Sequence, residues 1–191
     1  MFLQPNEVFM FTEIPLVYLP YGKVGILSDV HDHLTNLRKV LQIATESGID
    51  TLLFAGDFCS PIPVAEMLKF PGCIHAVWGN GDGDRVKIQQ LADARPGILF
   101  LHGEFAHFQM GSAKGPTIAM THYWFYAQAL ARTGDYDLVV SGHTHESRLM
   151  MFCGKICLNP GEVYDLKGEP SFAIYDPLKP LERQIEFVRL T

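Results

Sequence analysis

Short apolar runs alternate with amphipathic stretches over the first half of the chain. The runs fit buried strands at residues 23–27, 51–55 and 74–78. Apolar residues at helical spacing predict helices at residues 34–47, 61–68 and 85–94. Gly48 closes the first helix, and proline stands in the first turn of the second, where its missing N–H is tolerated. This βαβαβα order predicts a parallel sheet with helices packed on it.

The second half of the chain is rich in predicted strands. They lie at residues 98–101, 105–110, 117–120, 138–141, 148–152, 156–158, 172–175 and 184–189. One helix is predicted in this half, at residues 123–132, and Gly154-Lys155 is the expected turn of a hairpin. We therefore expect an α/β protein whose two sheets pack face to face with helices outside.

The composition fits one compact domain. The 191 residues are 48% hydrophobic and 19% charged, which excludes a disordered chain. No apolar run approaches the roughly 18–20 residues of a transmembrane helix, so we expect no membrane association. The net charge of −6 and the pI near 5.7 lack the basic surface typical of proteins that bind duplex nucleic acid, so we expect no such binding.

The first 21 residues differ from the rest of the chain. They contain no Lys or Arg and are interrupted by Pro5, Pro15 and Pro20, which is not the pattern of a signal peptide. We interpret residues 1–21 as an N-terminal extension and residues 22–191 as a single domain. The four cysteines are too few and too scattered for a disulfide framework, so we expect a cytoplasmic protein.

Five predicted strands stop at a side chain that can bind a metal ion. These side chains are Asp29 and His31, Asp57, Asn80, His122, and His143 and His145. In an open α/β sheet the ligand crevice lies beyond the carboxyl ends of the strands, so we expect the seven to converge on one site. Within Asp-x-His and His-x-His in extended chain, both side chains share a face.

The ligand types narrow the choice of metal. Nitrogen and oxygen ligands without thiolate suit Mn, Fe, Ni, Zn or Co. Seven ligands are too many for one four-coordinate ion, so we expect two divalent metal ions with a shared carboxylate and a bridging hydroxide. The identity of the ions stays open, with Mg as a further candidate.

These motifs, in their order and spacing, resemble the calcineurin-like metallophosphoesterase superfamily, specifically its small single-domain phosphodiesterase branch. The similarity extends over residues 23–175. The motifs stand here as Asp29-Val30-His31, Gly56-Asp57, Gly79-Asn80-Gly81-Asp82, Thr121-His122 and Gly142-His143-Thr144-His145. Asn159-Pro160-Gly161 is also similar to the family's loop after the last ligand strand. One such motif is weak, whereas five in order are specific.

The resemblance implies a four-layer αββα sandwich with two mixed β-sheets flanked by helices. It implies that the first ion is held by Asp29, His31, Asp57 and His145. It implies that the second ion is held by Asp57, Asn80, His122 and His143, with Asp57 as the bridge. The implied function is a dinuclear metal-dependent phosphodiesterase that hydrolyses small phosphodiesters or nucleotides by in-line attack of a metal-bridging hydroxide.

Gly81 departs from the pattern of many superfamily members, which carry histidine directly after the asparagine. Without this histidine a poor leaving group lacks an obvious acid, which disfavours action on phosphomonoesters. The small phosphodiesterase branch commonly lacks it too. His33, two residues beyond His31, is a candidate catalytic residue, and the alternative is a solvated loop histidine.

Two other functions stay open. One is a non-catalytic metal-binding interaction scaffold, since a retromer subunit shares the fold of the family. A scaffold usually loses one or more metal ligands, and all seven are present here. The other is a phosphomonoesterase, which predicts histidine where Gly81 stands. A homo-oligomer is also open, with residues 150–152 and the extension as candidate contact surfaces.

Several side chains near the motifs have structural interpretations. Asp82 and Asp84 suit helix caps, although Asp82 can also hydrogen-bond a ligand from behind. The aromatic residues 123–126 follow His122 and either stack on a nucleobase or belong to the core. We expect local hydrogen bonds for His75, His102 and His107, and packing as small buried thiols for Cys153 and Cys157.

Overall fold

Two six-stranded mixed sheets dominate the computed structural model, which describes residues 14–190. In chain order the strands are β1 Val17–Leu19, β2 Val24–Leu27, β3 Thr51–Phe54, β4 Cys73–Ala76, β5 Leu99–Leu101, β6 Phe105–Met110, β7 Thr117–Thr121, β8 Leu138–Val140, β9 Ser147–Phe152, β10 Lys155–Pro160, β11 Ser171–Tyr175 and β12 Ile185–Arg189. The helices are α1 Leu34–Glu46, α2 Ile62–Met67, α3 Arg85–Asp93 and α4 Trp124–Thr133, with a 3-10 turn at Leu181–Arg183. The first sheet has the order β12-β11-β2-β3-β4-β5, and the second has the order β1-β6-β7-β8-β10-β9.

The first sheet is built around four parallel strands, β2, β3, β4 and β5. Helices α1, α2 and α3 each connect one of these strands to the next. A crossover of this kind returns the chain to the same end of the sheet, so that neighbouring strands run parallel. Strands β11 and β12 extend the sheet in antiparallel pairing. The predicted βαβαβα order is therefore confirmed.

The central strands bury both faces. Successive side chains of a strand point to opposite sides of the sheet. Leu53 packs between the two sheets with Phe108 and Val140. Its neighbours Leu52 and Phe54 belong instead to the core under α1, α2 and α3. A strand covered on both faces needs a continuous apolar run, which is the pattern seen in the sequence.

Helix α4 covers the outer face of the second sheet. Ala127 and Ala131 pack against Val139 of β8 and Cys157 of β10. With α1, α2 and α3 on the opposite side, the layers are helix, sheet, sheet and helix, which confirms the expected αββα sandwich with two mixed sheets. Within residues 14–190, no helix is long and apolar enough to cross a membrane.

The β9–β10 hairpin turns at Cys153-Gly154, one residue before the predicted turn. Both residues have positive φ, 50° and 76°, as a tight two-residue hairpin turn requires. Lys155 already pairs with Phe152 in the ladder. Cys153 is exposed at this turn, so the expectation of a buried thiol is wrong for it, whereas Cys157 is buried as expected.

Strand β1 lies within the segment interpreted as an N-terminal extension. Val17–Leu19 pairs in parallel with the end of β6 and forms the edge of the second sheet. Residues 1–13 of the extension lie outside the described part of the chain. The division of the chain at residue 21 stays a prediction.

Candidate metal centre

The seven candidate ligands lie in loops that follow the carboxyl ends of five strands. Those after strands of the first sheet are Asp29, His31, Asp57 and Asn80. Those after strands of the second sheet are His122, His143 and His145. The packing of the sheets brings both groups to one place, so the expected convergence is seen in the geometry.

The backbone is left-handed at five of these positions. The φ angles are 53° at Asp29, 42° at His31, 67° at Asp57, 69° at His143 and 65° at His145. This region is unfavourable for residues other than glycine and needs support from the surrounding structure. The peptide N–H of Asp29 donates to Gly56 O at 3.0 Å, which ties the loop after β2 to the loop after β3. Strain is therefore concentrated where the candidate ligands leave their strands.

Asp29, His31 and His145 form one close group, with ligand atoms within 4.8 Å of one another. Asp29 Oδ1 lies 3.8 Å from His31 Nε2 and 3.5 Å from His145 Nε2. The two imidazole rings are 5.0 Å apart between centroids. These three residues are members of the set that the family resemblance assigns to the first ion.

Asp57 lies between histidines of the two assigned sets. Its Oδ2 atom is 3.4 Å from His31 Nε2 and 3.5 Å from His122 Nε2. Asp29, Asp57 and His122 form a second group of candidate ligand atoms within 4.8 Å. Asp29 thus belongs to both compact groups, while the position of Asp57 suits the bridging role expected for it.

The other two candidates border His122. Asn80 Oδ1 lies 3.1 Å from His122 Nε2. The ring of His143 packs edge-on against the ring of His122, with centroids 5.2 Å apart. The peptide N–H of His143 also donates to Asp29 Oδ2 at 3.0 Å. The loop after β8 therefore bonds to Asp29 directly, and the loop after β7 places a His122 nitrogen within 4.8 Å of its carboxylate.

The electrostatics favour a charged carboxylate at the centre. Burial raises the pKa of Asp29, but His31, His122, Ser28 and His145 together lower it more, so the pKa lies below its ordinary range. The same carboxylate raises the pKa of His31. Burial lowers the pKa of His143. A cation that binds here competes with a proton for His31, because metal ligation needs the neutral ring.

A buried atom without a partner shows that the residues fit a metal ion. In the described chain, His31 Nε2 and Ser141 Oγ are the buried side-chain polar atoms that lack a hydrogen bond. Burying such an atom unpaired is unfavourable, and His31 Nε2 faces the carboxylates of Asp29 and Asp57. Imidazole nitrogens with carboxylate and amide oxygens form a donor set that suits divalent transition-metal ions.

In His122 and His31, the ring nitrogen that faces away from Asp57 also has a partner. His122 Nδ1 lies 2.7 Å from Ala55 O, and His31 Nδ1 lies 2.9 Å from Cys59 Sγ. Burial, with the charge of Asp57, raises the pKa of the Cys59 thiol to about 11. Such contacts orient a ligating ring and select its tautomer. Cys59 was not among the sequence-based candidates.

Glu162 is a further residue that the sequence motifs did not single out. Its fully buried carboxylate contacts His145 Nδ1 and accepts peptide N–H groups of Leu166 and Gly168 at 2.8 and 3.0 Å. The available signal was its position directly after Asn159-Pro160-Gly161. Asn159 of that segment donates to Gly142 O at 2.6 Å and so fixes the loop that carries His143.

Asp82 and Asp84 have different roles: one supports a ligand loop and the other caps a helix. Asp84 caps α3, because its carboxylate accepts the peptide N–H of Lys87 at 2.9 Å. Asp82 is buried and accepts the peptide N–H groups of Asp57 and Gly79 at 3.3 and 2.7 Å. Asp82 is therefore not a helix cap, and it supports the loop that carries Asp57.

His33 caps helix α1. Its Nδ1 atom accepts the peptide N–H of Asn36 at 3.3 Å, and its ring lies 6.1 Å from Tyr164. His33 is not in either compact ligand group. Its catalytic role stays a prediction.

Gly81 approaches the central carboxylate too closely for a side chain to be added freely. Its peptide N–H donates to Asp57 Oδ1 at 2.7 Å. A Cβ atom here would lie 3.1 Å from Asp57 Oδ2, which is tighter than most such contacts. A histidine at this position would therefore require the Asp57 carboxylate to shift.

Comparison with known proteins defines the class of this protein. A model of the calcineurin-like phosphoesterase superfamily domain matches residues 23–179. The chain belongs to this superfamily, and the resemblance drawn from its motifs is confirmed. It is accordingly a hydrolase that acts on phosphoric esters, and the family implies divalent metal ions.

Particular relatives narrow the comparison. A phosphodiesterase of Methanocaldococcus jannaschii is 33% identical over 165 residues, which cover 85% of this chain and 98% of the relative. The solved structure of an archaeal phosphodiesterase superposes with a TM-score of 0.76 at 28% identity, covering 87% of this chain and 99% of the other. Vacuolar protein sorting 29 from Cryptosporidium parvum shares the fold, with a TM-score of 0.58 at 22% identity and coverage of 88% and 97%.

Proposed function

We propose that this protein is a dinuclear metal-dependent phosphodiesterase that hydrolyses small phosphodiesters or nucleotides. The observation that carries the proposal is the position of Asp57 Oδ2, 3.4 Å from His31 Nε2 and 3.5 Å from His122 Nε2. A carboxylate between two histidines from different strands suits a shared ligand of two ions. The names of the archaeal relatives support a diester substrate.

The residues divide into two proposed ligand sets. Asp29, His31, Asp57 and His145 form the first set. Asp57, Asn80, His122 and His143 form the second set. Four of the seven ligands are histidines, which favours Mn, Fe, Co, Ni or Zn over Mg, because Mg prefers oxygen.

Two divalent ions would supply positive charge near the phosphoryl oxygens and would lower the pKa of a bound water. The chain's own residues determine where that chemistry takes place. The left-handed loops hold the ligands at the strand ends, and Gly81 N–H fixes one oxygen of Asp57. Glu162, Ala55 and Cys59 orient the ligand rings.

Gly81 supports a diester rather than a monoester. A phosphomonoesterase of this superfamily would be expected to carry histidine at this position. Here Gly81 has no side chain that could protonate a poor leaving group, and its close contact with Asp57 disfavours adding one. A diester with a good leaving group needs less help from a general acid.

We further propose that the protein acts in the cytoplasm. Its four cysteines, Cys59, Cys73, Cys153 and Cys157, are free thiols, as expected for a reducing compartment. We also propose a homo-oligomer, in which the exposed apolar residues Leu149, Met150 and Met151 of β9 would contact a second copy of the chain.

Hydrolysis of matched chromogenic substrates tests the function. Protein stripped with a chelator is assayed on bis-p-nitrophenyl phosphate and p-nitrophenyl phosphate, before and after addition of Mn²⁺, Ni²⁺, Zn²⁺, Co²⁺ or Mg²⁺. We expect diester cleavage to return with a transition metal and to exceed monoester cleavage. The variant Asp57→Asn keeps the size of the side chain and should lose turnover while staying folded by circular dichroism.

Two outcomes would contradict the proposal. Full activity of Asp57→Asn would reject the shared ligand. Two ions bound per chain without hydrolysis of either substrate would reject the proposed phosphodiesterase and favour a metal-binding scaffold of this fold. Glu186→Gln is the matched control, because Glu186 is exposed on β12 and contacts none of the candidate ligands.

A further inference from the structure

The aromatic residues that follow His122 separate into core, surface and pocket. Trp124 is buried in the core under α4. Phe125 is 74% exposed and is not part of the cavity that its neighbours line. Tyr123 and Tyr126 contact each other edge to face, with centroids 5.7 Å apart, and both line one cavity. Trp124 therefore fits the core interpretation, whereas Tyr123 and Tyr126 line a cavity in which a ligand ring could stack.

This cavity, which we call the α4 pocket, has a volume of about 540 Å³. Residues that line it include Glu104, Thr121, Tyr123, Tyr126, Ala129 and Leu130. The volume lies within the range of small-molecule sites, which are mostly apolar with a few polar groups. The hydroxyls and the Glu104 carboxylate provide such polar groups around an aromatic and aliphatic floor.

The α4 pocket adjoins the candidate metal centre through Tyr123. The ring of Tyr123 lies 5.0 Å from the ring of His143 and 5.3 Å from the ring of His122. Thr121, at the end of β7, lines the pocket directly before the ligand His122. A substituent on a phosphorus atom held at the metal centre can therefore extend into the pocket.

The rim of the α4 pocket carries opposite charges. Glu104 lies 3.8 Å from Arg85, and Arg85 donates to Gly79 O at 2.9 Å, next to the ligand Asn80. A carboxylate accepts hydrogen bonds from hydroxyl and amino groups. A guanidinium attracts phosphate oxygens. A ligand in which a phosphate is joined to a ring with hydroxyl or amino donors would place the phosphate near Arg85 and the donors near Glu104.

We propose that the α4 pocket binds the nucleoside portion of the diester, with the nucleobase against Tyr126 and the phosphate at the metal centre. The proposal rests on the phosphodiesterase function given above and names its substrate class. Tyrosine faces stack on any nucleobase, and the pocket is large enough for a base with its sugar. Tyr126 is thus a specificity-determining residue rather than a metal ligand.

A pair of substrates with one leaving group tests this assignment. Thymidine 5′-p-nitrophenyl phosphate and methyl p-nitrophenyl phosphate present the same phosphorus chemistry and differ in the nucleoside. We expect kcat/KM to favour the thymidine ester by about tenfold or more, which is the scale of one base stacked on an aromatic side chain. Tyr126→Ala should remove this preference, mainly through KM, and leave the methyl ester unchanged.

The helix offers a matched control and a blocking variant. Phe125→Ala removes an equally large ring that contacts Tyr126 from outside the pocket, with centroids 5.8 Å apart, and should change neither substrate. Ala129→Trp fills the pocket from an exposed position of α4 and should act like Tyr126→Ala. A common loss on both substrates in Tyr126→Ala would place the nitrophenyl leaving group in the pocket and overturn the assignment. An equal kcat/KM for both esters in the parent protein would also overturn it.

Binding of thymidine itself separates this proposal from the proposed function. Thymidine has no phosphate, so its binding does not depend on the metal centre or on turnover. Saturation-transfer NMR should show binding to the parent protein and to Phe125→Ala, and loss of binding in Ala129→Trp. Binding without hydrolysis of any diester would reject the phosphodiesterase and support the pocket. Hydrolysis without thymidine binding would reject the pocket and support the phosphodiesterase.

Discussion

The Glu162 carboxylate holds His145 from the side of the ring that faces away from Asp29. It contacts Nδ1, whereas Nε2 lies 3.5 Å from Asp29 Oδ1. A carboxylate behind a ligating histidine fixes its tautomer and increases the basicity of the nitrogen that faces the ion. Peptide N–H groups of Leu166 and Gly168 hold Glu162 in turn. At the scale of single residues, we therefore expect the candidate metal centre to depend on a side chain that is not itself a candidate ligand.

Replacement of Glu162 tests this dependence. We expect Glu162→Gln to weaken metal binding by about 10–100-fold, because the amide orients the His145 ring less strongly than the carboxylate does. Competition with a chromophoric chelator measures the affinity, and circular dichroism checks that the chain stays folded. Glu182→Gln, on the exposed 3-10 turn, is the control and should bind metal like the parent. Unchanged affinity in folded Glu162→Gln would contradict the role of Glu162.

Helix caps are the feature that matters most at the scale of elements. His33 caps α1 through a 3.3 Å hydrogen bond from Asn36 N–H, and Asp84 caps α3 through a bond from Lys87 N–H. Both caps stand in loops that lead from the metal centre into a helix. The loop residues that follow the candidate ligands are thus also the residues that begin the helices. His33 could therefore be a helix cap, a catalytic residue or both.

Two substitutions of His33 separate these roles. His33→Ala should lower the free energy of unfolding by about 1 kcal/mol, because the Asn36 N–H loses its partner. His33→Asn should restore most of this stability, because asparagine is a strong N-cap. Denaturant unfolding and diester hydrolysis are measured on both variants. If His33 is a general acid, both lose roughly 10²-fold in rate, and if it is only a cap, His33→Asn keeps the parent rate.

The packing of the two sheets buries an uncharged histidine pair at the scale of the whole molecule. His75 of β4 is 6% exposed, and its Nδ1 lies 2.9 Å from His102 Nε2. Phe100 stacks on His75, with centroids 4.9 Å apart. The hydrogen bond expected for these histidines is thus confirmed. Burial, with repulsion from His102, lowers the pKa of His75 from 6.5 to about 4.

This shift predicts a loss of stability in mild acid. Between about pH 6.5 and pH 4 the unfolded chain binds a proton at His75 that the folded chain does not bind. The free energy of unfolding should therefore fall by roughly 2–3 kcal/mol, through His75, as the pH drops through this window. Above the window the contribution of His75 to stability should be fully present. Urea unfolding at pH 7 and pH 5, in chelator, measures the change.

His75→Phe should reduce that pH dependence, because phenylalanine does not titrate and keeps an aromatic ring against Phe100. His107→Phe is the comparison, since His107 lies partly exposed on β6 of the other sheet. An unchanged pH slope in His75→Phe would show that another group causes the acid sensitivity.

The sequence alone determined the order of strands and helices from β2 onward and the motif positions, whereas strand β1 lies in a segment that the sequence did not predict to be a strand. A short apolar run between two helical patterns, such as residues 51–55, is typical of a strand that is buried on both faces between helices. The location of the site also followed, because the carboxyl ends of parallel strands share one edge of a sheet. These features are local in the chain, or they follow from general rules of chain connection.

Only the tertiary structure decided the contacts between distant segments. Glu162 meets His145 and Cys59 meets His31 across 17 and 28 residues, and no periodicity encodes such pairs. The one-residue shift of the β9–β10 turn depends on backbone φ at Cys153, which side-chain patterns do not report. The division of residues 123–126 between core and pocket depends on which face of α4 meets the second sheet. Close packing in three dimensions, rather than spacing along the chain, selects these neighbours.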